Sequence, residues 1–445
     1  MRRPAAGAFV LLVTLCPMAL AAQEPNAAPQ TATLQQLVNE QHRRIDALEA
    51  RLAALQEQVE AIRGAQPPLA AAPLPIPTTE LIAPPMAVPY EHAFSGAPPE
   101  NPDGEAPASD LPRALNVDSY GSLRVLTLVD TDGHSEVSNN SSRLGIRGEK
   151  PLAGPLVAFG RYEMGVNMVA NDRAILLTGG DPGTPIGQGS QAVSTRLGYV
   201  GVRTRIGNFS WGKQWAPYYD VSEFSDQLQI FTGTANGAFG ALTDGGIAGT
   251  GRAERAFLYR EAWGPFAVGL QMQNRSLTIN DRHWADTYSG SFVLGDRNGF
   301  AVGAAYNKVR DGVPTPTVNE PQQGDQATIV GARYRGEWFY VGSTFSVLKQ
   351  HEVDDLGRRF DGKGFELALR QHFTPRAWIE GAYNDQRPDA DHPGDYRLRF
   401  IASNIVYNFN VASRAFFGFR LDKSRRSDRT PLTDNTFAAG LNYTF

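Results

Sequence analysis

From Val117 to Phe445, hydrophobic and polar positions alternate with a period of two, the spacing of strands that turn one face to an apolar and the other to an aqueous environment. The clearest run is the last, where Phe437, Ala439, Leu441, Tyr443 and Phe445 interleave with Thr436, Ala438, Gly440, Asn442 and Thr444. The rhythm recurs in Phe266-Val268-Leu270-Met272, Phe300-Val302-Ala304-Tyr306, Phe339-Val341 with Phe345-Val347, and Phe365-Leu367-Leu369. It predicts roughly sixteen strands and no helix in this part of the chain.

Upstream the period changes. Leu34, Val38, Gln41, Ile45, Leu48, Leu52, Leu55, Val59 and Ile62 are spaced alternately by four and three, the seam of a coiled coil, which places one over residues 32–64. Gln41 is the one polar seam residue and a candidate for fixing register. A single amphipathic helix packed on another element has the same spacing, but a strict repeat of this length exceeds most globular helices. Residues 65–113 follow as a linker: 13 prolines fall between Gln66 and Pro112, which predicts an extended, semi-rigid spacer. Ahead of the coil, Arg2 and Arg3, the apolar stretch Ala8 to Leu20 and the small residues near Ala21 read as a signal peptide over residues 1–22.

Connections between the strands of residues 114–445 alternate in length. Short turns lie near Pro151–Gly154, Arg205–Asn208, Trp263–Pro265, Asp296–Gly299, Arg335–Glu337, Phe373–Arg376 and Asn410–Ser413. Longer polar stretches separate them: near His134, Asp172–Gln191, Ala216–Gly251, Arg275–Arg282, Asp311–Asp325, His351–Asp361, Arg387–Gly394 and Asp422–Asp434. Seven short turns and eight long loops are what a sixteen-stranded barrel with both ends on one side requires. Trp263, Trp338 and Trp378 stand beside short turns, where an aromatic girdle belongs. A soluble all-β protein also alternates, but the regular short and long rhythm favours a membrane barrel.

Composition agrees. Hydrophobic residues make up 42% of the chain, and no segment after residue 22 approaches the ~18 apolar residues of a spanning helix. A membrane-spanning form is therefore a closed barrel, since only helices and barrels satisfy every backbone group in hydrocarbon. The single cysteine, Cys16, lies in the expected signal peptide, so the fold is not disulfide-stapled. A net charge of −4 implies no nucleic-acid partner.

The segments Ser142-Arg143-Leu144-Gly145-Ile146-Arg147-Gly148-Glu149, Thr195-Arg196-Leu197-Gly198-Tyr199-Val200-Gly201, Gly212-Lys213-Gln214 with Pro217-Tyr218-Tyr219-Asp220, and the terminal Leu441-Asn442-Tyr443-Thr444-Phe445 together resemble general diffusion porins of Gram-negative bacteria, over about Tyr120 to Phe445. The resemblance implies an all-β fold: a sixteen-stranded antiparallel transmembrane β-barrel in the outer membrane, assembled as a homotrimer, with the third external loop folded inward to narrow the pore. It implies a constriction with Asp220, Glu223 and Asp226 on the loop, opposite a basic wall of Arg143, Arg196 and Arg252 with Arg147 nearby. A family loop tip, Pro-Glu-Phe-Gly-Gly, reads Gln229-Ile230-Phe231-Thr232-Gly233 here, so Ile230 replaces an expected acid. Ser122 likewise occupies a position that is often Lys. The coil and linker would then lie in the periplasm, with the coil reinforcing the trimer.

Partners implied are outer-membrane lipid, further copies of the chain and small polar solutes. Two other functions fit the same features: a solute-specific channel for sugars or organic anions, and a tether to peptidoglycan, for which no wall-binding module is recognisable. Nothing points to an enzyme, cofactor or metal. The histidines have no ligand spacing, Asp130-Thr131-Asp132-Gly133 with Glu136 lacks a full calcium pattern, and Gly245–Gly251 lacks a phosphate-loop ending. No serine sits in a nucleophile elbow.

Overall fold

The computed structural model describes residues 116–169, 193–240, 243–274, 285–296, 298–311 and 324–445. The expected signal peptide, coiled coil and linker lie outside the described residues. The alternating sequence forms β1 (Asn116–Asp130), β2 (Ser135–Asn139), β3 (Arg143–Pro151), β4 (Val157–Val166), β5 (Val193–Thr204), β6 (Gly207–Trp215), β7 (Arg252–Trp263), β8 (Phe266–Gln273) and β9 (Thr287–Gly295). It continues as β10 (Phe300–Val309), β11 (Gln326–Arg335), β12 (Phe339–Val353), β13 (Arg359–Thr374), β14 (Ala377–Pro388), β15 (Leu398–Asn408), β16 (Ser413–Asp422) and β17 (Thr436–Thr444).

Every pairing is antiparallel and, apart from β1 with β3, joins neighbours in sequence until β17 returns to β1 in continuous register from Ser122↔Thr444 to Asp130↔Thr436. The sheet therefore closes. β2 and β3 both pair with β1, one above the other, and occupy a single stave. Seventeen segments thus build sixteen staves, joined among the described residues by the short turns and longer connections that the sequence predicts. Closure leaves no unpaired edge in a medium that offers backbone groups no other partner. The seam ends with Gly121 and Phe445 exchanging backbone hydrogen bonds of 2.8 and 3.0 Å.

Alternation sorts the side chains. Leu270, Phe300, Val330, Ile405, Phe417 and Leu441 are exposed on the outer face, whereas their chain neighbours are buried or polar. Trp263, Phe266, Tyr334, Trp338 and Phe339 are exposed beside short turns, and Tyr288, Tyr306, Phe345 and Phe365 are exposed toward the other rim. The two levels are those of aromatic girdles. Trp378 corrects an expectation. In β14 the exposed register runs through Ile379, so Trp378 points inward, is 5% exposed, and stacks on His372 with ring centroids 5.2 Å apart.

At the long-loop rim, Asp130 accepts hydrogen bonds from the backbone of Asp132 and His134 in an ordinary tight turn. Farther round, three loops are tied together at Asp354. Its carboxylate accepts from Arg358 Nε at 2.8 Å, contacts His392 Nε2 at 3.0 Å and accepts from Ser427 Oγ at 3.2 Å. Ser427 also donates to Asp355 Oδ1 at 2.7 Å. Burial opposes the charge on Asp354, but the hydrogen bonds from Arg358 and His392 outweigh it and hold the carboxyl down at about 2. A carboxyl lowered by folding stabilises the folded arrangement above its unfolded value of about 4, and that contribution is lost as pH falls through the folded value. We therefore expect hydrogen exchange in residues 354–358, 389–397 and 423–435 to accelerate between about pH 4 and pH 2, with Asp354→Asn giving faster exchange at neutral pH. Identical exchange in the two proteins at neutral pH would rule out this tie.

Candidate functional site

On the inner face of β1 to β7, basic side chains gather around two carboxylates. Glu163 of β4 is 1% exposed, and its Oε1 accepts from Arg196 Nε at 3.0 Å. Its Oε2 accepts from Arg161 Nη2 at 2.8 Å and from the Tyr120 hydroxyl at 2.9 Å. Arg143 adds its charge nearby. The second centre is Asp244, which meets Lys213 Nζ at 2.8 Å and Arg252 Nε at 3.6 Å. Lys213 also reaches Glu254 at 2.8 Å, and Arg252 lies over the Trp215 ring, 5.5 Å from its centre. Strand alternation explains the gathering, because Arg161 and Glu163 are two apart on β4 and share a face.

The segment 216–251 between β6 and β7 makes hydrogen bonds with strand after strand. It begins with a short helical turn, α1 (Tyr219–Ser222). Asp220 is ion-paired with Arg260 of β7 and accepts from Ser291 of β9 at 2.8 Å. The backbone carbonyl of Phe224 accepts from the Tyr340 hydroxyl of β12 at 2.7 Å. Glu366 of β13 accepts from Ala235 N at 2.6 Å, from Asn236 Nδ2 at 2.8 Å and from Ser225 Oγ at 2.6 Å. Gln229 N donates to Glu380 of β14, Asn404 of β15 donates to Ile230 O, and Asn442 of β17 donates to Gln229 Oε1.

Both apolar clusters of the barrel join this segment to the wall. In one, Tyr218, Val221 and Phe224 pack with Val293, Ile329 and Leu348. In the other, Leu228, Ile230 and Phe231 pack with Leu126, Phe400 and Phe416. Glycines in the wall receive the main chain. A Cβ added at Gly342 would lie 1.8 Å from Phe224 O, and one at Gly364 would lie 1.7 Å from Ala235 O.

The residues expected at a constriction therefore separate. Arg196, Arg252 and, by proximity, Arg143 come together. Arg147 does not: four positions along β3 it is about 13 Å away and faces Asp118 at 3.4 Å. Asp226 is half-buried and accepts from the Tyr219 hydroxyl at 2.6 Å. Asp220 and Glu223 are buried against the wall, the former on Arg260 and the latter toward Arg333 and Tyr340. Ile230 is fully buried among wall side chains, so it anchors the segment and presents nothing to a solute. Burial pushes the Asp220 and Asp226 carboxyls up, against the pull of Arg260 on the first and of Tyr219 on the second.

Glu163, Arg161, Tyr120, Lys213 and Asp244 are missing from the sequence-derived site. The alternate spacing of Arg161 and Glu163 was the available signal for two of them. Asp244 carried none, because its place depends on the path of an irregular loop.

A family model described as Gram-negative porin matches residues 106–444. The porin OmpD of Citrobacter koseri is 26% identical over 348 residues, covering 74% of this chain and 91% of its own. Outer membrane porin F of Xenorhabdus nematophila is 23% identical, covering 74% and 92%. Among solved structures, the Salmonella typhi OmpF complex with daunomycin superposes with a TM-score of 0.57 at 19% identity, over 74% of this chain and 97% of that one. The anion-selective porin from Comamonas acidovorans superposes at 0.54 and 16% identity, over 75% and 100%. The structural likenesses show the fold.

Overpacking a close contact typically costs about 1–3 kcal/mol. Gly364→Val is expected to displace the Ala235 main chain and lower the thermal midpoint of the folded barrel, read from heat-dependent gel mobility. A midpoint equal to that of the unaltered protein would mean that the two backbones do not meet there.

Proposed function

The chain belongs to the family of Gram-negative porins, and from that premise we propose that it is a passive diffusion channel whose third external loop, residues 216–251, folds into the lumen and sets a constriction that favours small anionic and polar solutes. It is an outer-membrane channel that uses no cofactor and no energy source. The observation that supports the finer reading is the series of bonds from this loop to β7, β9, β12, β13, β14, β15 and β17, strands spread round much of the barrel.

Opposite the loop stands the basic wall. Arg143, Arg161, Arg196, Lys213 and Arg252 share the carboxylates Glu163, Asp244 and Glu254, an excess of positive charge. The loop's own acids contribute less than their number suggests, because Asp220 is neutralised by Arg260 and lies against the wall. Charge lining a narrow aqueous passage sets ion preference, and Arg retains its charge when partly desolvated. Fixed bases facing Asp226 also impose a transverse field that orders water and disfavours apolar solutes.

Three barrels associate as in the family, and the coil over residues 32–64 links the same three chains on the periplasmic side, raising their effective concentration for one another. The Pro-rich linker over residues 65–113 sets the reach.

In a planar bilayer with a potassium chloride gradient, the purified protein is expected to give stepwise conductances and a reversal potential of anion-selective sign. Arg143→Gln should move that potential toward cations, and Asp226→Asn should move it further toward anions. A folded protein without conductance steps would remove the channel reading. Steps with a cation-selective potential would remove only the charge assignment.

A further inference from the structure

The short-turn mouth of the barrel carries bases that the constriction does not use. They lie on β11, β13 and β16 and in the turn before β14, across the lumen from the basic wall of β1 to β7. Arg335, Tyr340, Arg370 and Glu380 stand directly opposite one another on the successive strands β11 to β14. Arg333 is two positions from Arg335 and shares its face. Arg414 of β16 stands opposite Asn408 of β15, whose backbone N–H donates to the Arg376 carbonyl. Arg370 Nη2 donates to Gln227 O, so the hollow lies directly on the short-turn side of residues 216–251.

Few carboxylates answer these bases. Glu380 is 3.5 Å from Arg370, but its oxygens already accept from Gln229 N, Asn404 Nδ2 and Trp378 Nε1. Glu223 faces Arg333 from the loop. Among the described residues, Arg370 Nε is buried without a hydrogen-bond partner, and Arg376 and Arg414 have no carboxylate within ion-pair distance. Arg335 and Arg414 instead lie over the rings of Tyr340 and Trp378, 5.4 and 5.9 Å from their centres. A ring against the flat face of a guanidinium leaves its N–H edges for other partners.

The chain itself supplies matching acids at this mouth. β1 starts with Asn116 opposite Glu149, beside the short turn that follows Pro151, so the chain reaches the barrel from the short-turn side. From Gln66 to Pro112 the sequence holds six carboxylates and no Lys or Arg, and four of the six, Glu100, Asp103, Glu105 and Asp110, fall within eleven residues. We propose that residues 100–110 dock in the basic hollow of their own barrel, with their carboxylates on Arg335, Arg370, Arg376 and Arg414. Charge and reach together choose this occupant. The four acids stand 6 to 16 residues before Asn116, which at ~3 Å per residue is roughly 20 to 50 Å of chain. Arg414 is two staves from β1, Arg370 five and Arg335 seven, or roughly 10, 25 and 35 Å across strands about 4.8 Å apart. Pro98, Pro99, Pro102, Pro107 and Pro112 favour an extended path that keeps the acids apart, and the tether holds them at an effective concentration on the order of millimolar. The docked carboxylates offset positive charge at the mouth and so temper the anion preference set at the constriction.

The test uses the folded full-length protein carrying Ser109→Cys/Val411→Cys, the second site being exposed in the turn before Arg414. Mild oxidation is expected to join the two positions within one chain, and the initial rate of disulfide formation is read from non-reducing gels. Adding Glu100→Gln/Asp103→Asn/Glu105→Gln/Asp110→Asn should slow that rate about tenfold or more, and 1 M salt should do the same. An exposed ion pair contributes up to about fivefold, so Arg376→Gln/Arg414→Gln should slow it about twentyfold. If that pair of changes prevents folding, Arg376→Gln alone, in an exposed turn, should slow it about fivefold. In a salt gradient the four-acid variant should also be more anion-selective than the unaltered protein. Equal rates with and without the four acids overturn the proposal and leave the hollow to permeant anions. Disulfides that join different chains overturn the assignment to the chain's own barrel. Cross-linking needs no conductance, so a failed channel reading and a failed docking are told apart.

Discussion

A backbone N–H or C=O in hydrocarbon has no water to turn to, and each unpaired group there costs several kcal/mol. A sheet meets that demand only by pairing its last strand with its first, which here fixes β17 against β1 from Ser122↔Thr444 onward. Closure then dictates the rest. It forces one set of alternate residues toward lipid and the other toward an enclosed space, so the usual apolar core cannot form between layers of sheet. The buried apolar residues instead lie where residues 216–251 meet the wall.

That arrangement ties the course of residues 216–251 to the stability of the wall. Glu366, Glu380 and Asn404 spend their polar groups on the main chain of residues 216–251, and Tyr340 does the same for Phe224. Buried hydrogen bonds of this kind are costly to lose, because the group left behind is stranded away from water. The course of residues 216–251 is therefore held by groups on the wall. The basic residues on β1 to β7 are held differently, by sharing the carboxylates Glu163 and Asp244 among several strands.

Much of this was legible in the sequence because a strand's period is short and local. Phe437 to Phe445 reads as a lipid-facing strand from nine residues alone, and the rhythm of short and long connections closes the count of staves. What escaped depends on register or on irregular backbone. Trp378 sits beside a short turn as a girdle residue would, yet one step of register sends it inward. Ile230 occupies a place where charge was expected, but the loop rotates it into an apolar cluster. Arg147 shares a face with Arg143, and only the rise of the strand separates them. Glu163 escaped because its partners come from three different strands, which no single window of sequence displays.

Where Phe224 and Ala235 meet Gly342 and Gly364, peptide rests on peptide, with no side chain interposed. Such a seat recognises the course of the loop and is indifferent to most of the letters written along it. Residues on the loop's free surface can then be exchanged without unseating the loop. The notches in the wall fix the loop's path and leave its sequence room to change.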